Sequence, residues 1–376
     1  MPRILISTGE VSGDLQGALL IQALRRLRPD LDILAVGGQR MAKAGAKLLA
    51  DTTQMGSIGL IEHVPFVLPT LRLLSRLRRQ LASQPPDVVV LIDYVGFNLP
   101  LARLCKPWGC PLIYYIAPQE WVWPTANTKG IVALIDQVLA VFPQEAEYYR
   151  QVGVPRVEWV GHPLVDALAA VESRATARSR LGIAPDQKMV VLLPASRRQE
   201  LRYLWPVLAK TAQQLQQQQP DVEFWLPVAL PQYQARLQAD VERQGLRARV
   251  VMENPQRVMA AADLALTKSG TVNLELALLN VPQLVVYRVS RVTAWLAQHL
   301  LRFHIEYMSP VNLVAQQAIV PEFLQEQACP ERLLPIALDY LRHPDSVRQR
   351  YQLFRQALGP AGATHRAAQA ILSYCR

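Results

Sequence analysis

Cysteine is scarce: the chain has four in 376 residues, Cys105, Cys110, Cys329 and Cys375. No two form a CxxC pair, and a disulfide framework is out of keeping with so long a chain, which points to reduced cytosolic thiols. Long apolar runs are missing too. The longest, from Val88 to Ala102, is interrupted by Asp93, Gly96, Asn98 and Pro100. It falls short of the roughly 20 apolar residues that a spanning helix needs. The opening MPRILISTGE enters a strand pattern at once, without the basic and apolar segments of a secretory signal. Membrane contact is therefore expected to be peripheral. There is no GxxxxGK(S/T) phosphate loop, no GxGxxG dinucleotide loop, and no His/Cys cluster with zinc spacing. The lone DxD, Asp30-Leu31-Asp32, sits at a helix-to-strand junction, the wrong end of a parallel sheet for a metal-held nucleotide. No metal and no cofactor is expected.

What is present is a large apolar content. Hydrophobic residues make up 51% and charged residues 19%, enough to bury a sizeable core and to exclude disorder. At roughly 150 residues per domain the length suggests two or three domains. Forty Lys and Arg stand against 30 Asp and Glu, a formal charge of +10 that suits an anionic partner. Interleaved aromatic and basic residues and known nucleic-acid motifs are missing, so phosphorylated substrates or an anionic membrane fit better than nucleic acid.

Short β-branched runs alternate with helical patterns along the whole chain. In the first half the strand candidates are Ile4–Ser7, Asp32–Val36, Val88–Asp93, Leu112–Ile116, Gln137–Phe142 and Val157–Val160. The second half offers Met189–Leu193, Val222–Leu226, Arg249–Met252, Leu264–Thr267 and Gln283–Tyr287. Near-continuous apolar strands separated by helices indicate parallel sheets covered on both faces. The expected fold class is α/β, with two Rossmann-like doubly wound domains facing a cleft. Residues 1–165 form the first and 166–340 the second, with 341–376 packing back on the first. The polar segment around Glu172–Arg180 reads as the helix and linker into the second domain.

Ligands of open α/β sheets bind beyond the carboxyl ends of the strands, so the loops there carry the candidate chemistry. The first strand runs into Gly9, Glu10, Ser12, Gly13 and Asp14 at a helix start, where glycines permit close backbone approach and a helix N-terminus attracts anions. A tight turn with Asp14 as a helix cap explains the glycines but not Glu10. Asp93 ends an apolar strand, as a general base or as a helix cap would. Trp121 and Trp123 follow the next strand, either as core or as an apolar wall for sugar or acyl groups. In the second half Ser196, Arg197 and Glu200 follow a strand, and Ser before Arg suits phosphate binding. Ser269, Gly270 and Thr271 form a small polar turn opening a helix, again with donors for phosphate. Glu275, one turn in, fits ribose hydroxyls or the helix dipole, and Arg288 closes the next strand. His162, in GHP, is a lone histidine of the kind that is usually structural.

Taken in order, these loops resemble the GT-B nucleotide-sugar glycosyltransferases, and specifically the lipid-A-disaccharide synthase family. The matches are GExSGDxxG at Gly9–Gly17, GGxxM at Gly37–Met41 with Ala44-Gly45, and Gly59 and Glu62 of GLIEHV. Asp93 with Phe97-Asn98, Pro118 with Trp121-Val122-Trp123, and GHP at Gly161–Pro163 continue the series. LPxSRxxE at Leu193–Glu200, SGTxxLE at Ser269–Glu275, Tyr287-Arg288, Asn312 and Pro321-Glu322 complete it. The resemblance implies inverting transfer from UDP-2,3-diacylglucosamine to 2,3-diacylglucosamine 1-phosphate. UDP is released and a β-1,6-linked disaccharide forms. It implies Asp93 as the base, with Glu10 the next candidate, and Arg197 with the turn after Gly270 on the departing diphosphate. Glu275 is implied on the ribose. Ser196, Glu200, Ser269, Gly270, Thr271 and Arg288 are implied on the donor, and Gly9, Ser12, Asn98, Trp121 and Trp123 on the acceptor.

Three positions depart from the family. Val95-Gly96 replaces a segment that usually carries a second acid, Pro124 stands where Arg is usual after the tryptophans, and Ala195 replaces a glycine. The donor half therefore matches better than the acceptor half. A GT-B enzyme acting on another lipid acceptor stays open, as do UDP-sugar hydrolysis or epimerisation and an inactive UDP-sugar-binding homologue.

The partners expected are a UDP-sugar donor, an acylated sugar phosphate acceptor and an anionic membrane surface, with room for a homodimer. The place expected is the cytoplasmic face of an inner membrane. Two segments motivate the membrane. Phe66–Leu81 carries leucines near helical spacing with Arg72, Arg76, Arg78 and Arg79 between them, and Arg288–Phe303 adds Trp295 and further leucines. A leucine stripe of this kind is more often core, with its arginines on a solvated face.

Overall fold

The computed structural model describes residues 1–52, 64–122, 125–194, 198–228, 231–252, 254–290, 295 and 306–375, without the side chains of 64–67 and 198–199. The chain divides into two units. The first comprises Met1–Ala167 with Leu358–Arg376, and the second Leu168–Ala357.

In the first unit seven strands form one sheet: β1 (Arg3–Ser7), β2 (Asp32–Gly37), β3 (Lys47–Asp51), β4 (Val88–Ile92), β5 (Leu112–Tyr115), β6 (Gln137–Ala140) and β7 (Arg156–Trp159). Their order is β3-β2-β1-β4-β5-β6-β7, and every pairing is parallel. Strands such as VVVLI at β4 are buried along their whole length because helices cover both faces. The second unit holds β8 (Met189–Leu193), β9 (Glu223–Pro227), β10 (Ala248–Val251), β11 (Leu264–Lys268), β12 (Gln283–Tyr287) and β13 (Glu322–Leu324). They are also parallel, in the order β10-β9-β8-β11-β12-β13. Strand order reverses between β1 and β4 in one unit and between β8 and β11 in the other. Those two switch points are where such sheets receive ligands.

The two parallel α/β units are those read from the sequence, but β3 and β13 were not among the expected strands. The return to the first unit also comes later than residue 341. The helix Asp345–Leu358 stays with the second unit because its polar side chains are spent there. Tyr351 OH donates to Val281 O at 2.9 Å, and Arg355 donates to Asn280 Oδ1 at 2.8 Å. The helix Ala363–Leu372 is the one that packs on the first unit, against the helix Val11–Leu27. Asp166 fixes it by accepting from Thr364 N at 3.0 Å and Thr364 Oγ1 at 2.9 Å.

Candidate functional site

At the first switch point, backbone and side chains are locked together. Asp93 and Tyr94, directly after β4, both take left-handed conformations, with φ of 49° and 38°. Such angles are costly for side-chain-bearing residues and persist only where surrounding contacts hold them. The contacts are visible. Asp93 N donates to Ile116 O at 3.0 Å, and Asp93 O accepts from Tyr114 OH and from Asn98 Nδ2, each at 2.7 Å. Asn98 also accepts the Ser7 hydroxyl at 2.8 Å, tying the end of β1 to the end of β4. The Asp93 side chain is half-buried at this junction, and Glu10 and Ser12 are half-buried at the start of the helix Val11–Leu27.

Asn98 itself is fully buried with its amide consumed internally, so it positions Asp93 and does not reach a ligand, contrary to the expectation that it binds the acceptor. Gly9 is buried as well. A Cβ there would fall 1.9 Å from the Tyr94 ring, so its place in the motif is to let that ring approach. Asp14 does cap a helix, but not its own. Its carboxylate accepts from Gly38 N at 2.9 Å, Met41 N at 3.1 Å and Arg40 N at 3.1 Å, at the start of the helix Gln39–Lys43. Met41 in turn fills the space that Gly17 and Gly37 leave open, which explains why GDxxG and GGxxM occur together. In the DxD, Asp32 accepts from Arg3 Nε at 2.6 Å and Asp30 from Arg28 Nε at 3.3 Å.

The loop after β5 is organised by two acids that sequence reasoning did not single out. Glu120 accepts from Thr125 N at 2.7 Å and from Thr128 Oγ1 at 2.9 Å. Glu145 is buried and accepts from Val141 N at 2.8 Å, Ala117 N at 3.0 Å and Phe142 N at 3.2 Å, pinning the ends of β5 and β6. Burial raises its pKa to about 8 against those three donors, with Asp93 adding to the rise. Its sequence signal was a Glu three residues past the helix cap, which reads equally as an ordinary helix start. Trp121 is half-buried and lies 6.1 Å from Phe142 between ring centroids, so it packs partly as core. Phe142 also stacks on His162 at 5.3 Å. His162 accepts the Leu164 N–H at 3.2 Å, and burial lowers its pKa to about 3, so it is neutral and structural. Trp123, Pro124, Gly59 and Glu62 lie outside the described residues.

At the second switch point Ala195, Ser196 and Arg197 also lie outside the described residues. Glu200, in the first turn of the helix Arg198–Gln218, accepts from Lys268 Nζ at 2.9 Å; Lys268 ends β11. The turn after β11 is fixed from within. Asn273, fully buried, donates to Lys268 O at 2.9 Å and accepts from Gly270 N at 2.9 Å, which takes one donor that the sequence offered to phosphate. Ser269 Oγ donates to Met308 O at 2.6 Å. Thr271 precedes the helix Val272–Leu278 without a capping hydrogen bond from its side chain, and the half-buried Glu275 accepts from Gln256 Nε2 at 3.4 Å. Arg288 is half-buried just past β12. Asn312 and Glu322 are interlocked at 2.7 Å, and Glu322 accepts from Met308 N and Ser309 N. Their role is to hold the segment 308–322, and burial raises the Glu322 pKa.

The helix Val64–Leu81 divides along its length. Leu74, Leu77 and Leu81 are buried in the core, while Leu68 and Leu71 are each 57% exposed and Arg72, Arg76, Arg78 and Arg79 face solvent. Trp295 is likewise 57% exposed. No helix of the described residues is long and apolar enough to cross a membrane.

Comparison with known proteins agrees with this architecture. The family model described as lipid-A-disaccharide synthetase matches residues 4–370. The chain is 48% identical over 384 residues to the lipid-A-disaccharide synthase of Gloeothece citriformis, covering 99% of this chain and 100% of that one. It is 50% identical over 389 residues to that of Prochlorococcus marinus, covering 99% of each. Among solved structures it is similar in fold to the UDP-GlcNAc 2-epimerase of Neisseria meningitidis bound to UDP-GlcNAc, with a TM-score of 0.69 at 15% identity and 99% and 100% coverage. It is also similar to Anabaena HepE in complex with UDP and glucose, with a TM-score of 0.59 at 14% identity and the same coverage.

Proposed function

The chain belongs to the lipid-A-disaccharide synthase family of glycosyltransferases, and from that premise we propose that it joins UDP-2,3-diacylglucosamine to 2,3-diacylglucosamine 1-phosphate. The observation that carries this reading is the left-handed Asp93 at the β1/β4 switch point, clamped through its own main-chain oxygen by Asn98 and Tyr114. A carboxylate held at a strand end in a half-buried setting is suited to general-base work. Asp93 takes the proton of the acceptor 6-hydroxyl as that oxygen attacks the anomeric carbon. The bond from that carbon to the diphosphate breaks, UDP leaves with the electron pair, and configuration inverts. Glu10 and Ser12 at the neighbouring helix start bind the acceptor together with Trp121 and Trp123. On the donor, Ser196, Arg197, Arg288 and the turn Ser269, Gly270 and Thr271 take the diphosphate, and Glu275 takes the ribose. Charged donors aimed at the leaving group lower the barrier in proportion to the charge that develops there.

Both substrates of this reading carry acyl chains. The exposed Leu68 and Leu71 beside Arg72 and Arg76 fit reversible docking on an anionic bilayer at the cytoplasmic face of an inner membrane. Gly96 favours a second reading, transfer to a different lipid acceptor, because the usual second acid is missing there. Incubating the purified protein with UDP-2,3-diacylglucosamine and 2,3-diacylglucosamine 1-phosphate tests both readings. UDP and disaccharide 1-phosphate together support the first. UDP-dependent transfer only when another acylated acceptor is supplied supports the second.

A further inference from the structure

Lys268 and Glu200 form an ion pair of 2.9 Å whose side chains are only 16% and 11% exposed. Taking two charges out of water is costly, and hydrophobic residues would fill the same space at less cost, so the pair calls for a function. Its location supplies one. Lys268 is the last residue of β11, next to the β8/β11 switch point, where ligands of doubly wound sheets bind. An ammonium carries three donors, and Glu200 engages one of them. The turn beneath is shaped around it. Gly270 has φ of 152°, and a Cβ there would stand 3.2 Å from Lys268 Nζ, so glycine leaves the ammonium its position. Asn273 fixes both Lys268 O and Gly270 N at 2.9 Å, so the strand end that carries the lysine is rigid.

We propose that Lys268 is a direct ligand of the diphosphate of the nucleoside-diphosphate sugar, and that Glu200 is the positioning residue that aims it. The inference rests on the donor reading above and moves the ligand role from Glu200 to Lys268. A carboxylate beside a diphosphate repels it, whereas the ammonium has the complementary sign and keeps two donors for phosphate oxygens. Glu200 holds the flexible lysine stem in one geometry, so less side-chain freedom remains to be lost on binding.

Calorimetric titration of the full chain with UDP and with uridine tests this. Lys268→Met is expected to weaken UDP binding roughly 10- to 100-fold, as loss of a charge-assisted contact does, while uridine affinity is unchanged. Glu200→Gln is expected to weaken UDP alone, and adding it to Lys268→Met is expected to cost nothing further, since Glu200 acts through the lysine. A purely structural ion pair would instead lower UDP and uridine affinity together, with single and double variants tracking loss of fold. Should Lys268→Met fold poorly, Lys268→Gln keeps a donor for Glu200 and is expected to show the same selective loss. UDP affinity unchanged in the lysine variants, or lost equally with uridine, overturns the proposal while leaving the donor reading intact. A wild-type chain without UDP affinity overturns both.

Discussion

Asn98 donates its side-chain N–H to the main-chain oxygen of Asp93 at 2.7 Å. The same amide accepts the Ser7 hydroxyl, so one buried residue sets the spacing of β1 and β4 where the candidate base emerges. Replacing it takes the acceptor from the Ser7 hydroxyl and a donor from Ile92 O, and leaves Asp93 O with the Tyr114 hydroxyl alone. Asn98→Ala is expected to cost about 1–3 kcal/mol of stability and to lower turnover more than UDP affinity. Urea unfolding together with kcat and UDP titration checks it. A folded variant with unchanged kcat would show that Asp93 needs no such clamp.

Two glycines near Asp93 are expected to behave oppositely. Gly9→Ala would place a Cβ 1.9 Å from the Tyr94 ring, and displacing that ring is expected to cost about 1–3 kcal/mol. At Gly96 nothing lies within 4 Å of a Cβ, so Gly96→Asp, which restores the acid usual in the family, is expected to change stability by less than about 0.5 kcal/mol. Thermal unfolding of both variants beside wild type decides the matter. Equal destabilisation would contradict it.

Strands with continuous apolar runs, such as β4 and β8, were legible because both of their faces are buried. The edge strands β3 and β13 were not. Lys47–Asp51 is only half-covered, and Glu322–Leu324 is three residues long, so neither shows a distinctive run. Helical periodicity marked the final helices but not which unit they join, since that depends on Tyr351 and Arg355 meeting Val281 and Asn280. In the site, Asp93 could be placed from its strand end alone. Burial could not, which is why Asn98 was expected on the acceptor. Glu145 and Lys268 were overlooked for a related reason. A Glu in a first helical turn and a Lys at a strand end are ordinary until their partners are known.

Protonation of His162 is expected to lower stability in acid. Its folded pKa, lowered to about 3 by burial, lies below the unfolded value near 6.5, so between these limits the unfolded chain takes up the proton and the native state does not. Glu145 works in the opposite sense. Its folded pKa is raised to about 8, so its contribution is lost as pH rises through that value. The histidine is isolated by comparing wild type with His162→Asn, in which an amide oxygen can accept the Leu164 N–H. Between about pH 7.5 and pH 5, wild type is expected to lose about 2 kcal/mol more than the variant in urea titrations. Parallel curves would mean that the ring is protonated in the folded chain.

The exposed end of the helix Val64–Leu81 is expected to control sedimentation with anionic vesicles. Leu68→Ser with Leu71→Ser removes apolar area that the fold does not bury, so stability should hold while low-salt binding weakens. Arg72, Arg76 and Arg79 replaced by Ser should act likewise, by about 1 kcal/mol per charge that meets the surface, with activity on detergent-dispersed substrate retained. Wild-type protein that stays wholly in the supernatant at low salt would contradict the membrane reading. Unfolding of the arginine variant would assign that face to the core.

The most direct test of Asp93 as the general base is the turnover of Asp93→Asn, measured with the acylated substrates alongside its affinity for UDP. Asparagine keeps the size of the side chain and removes its basicity. The expected result is a fall in kcat of about 10² to 10⁴ with UDP affinity unchanged. Wild-type turnover in the Asn variant would contradict it, and the search for the base would pass to Glu10.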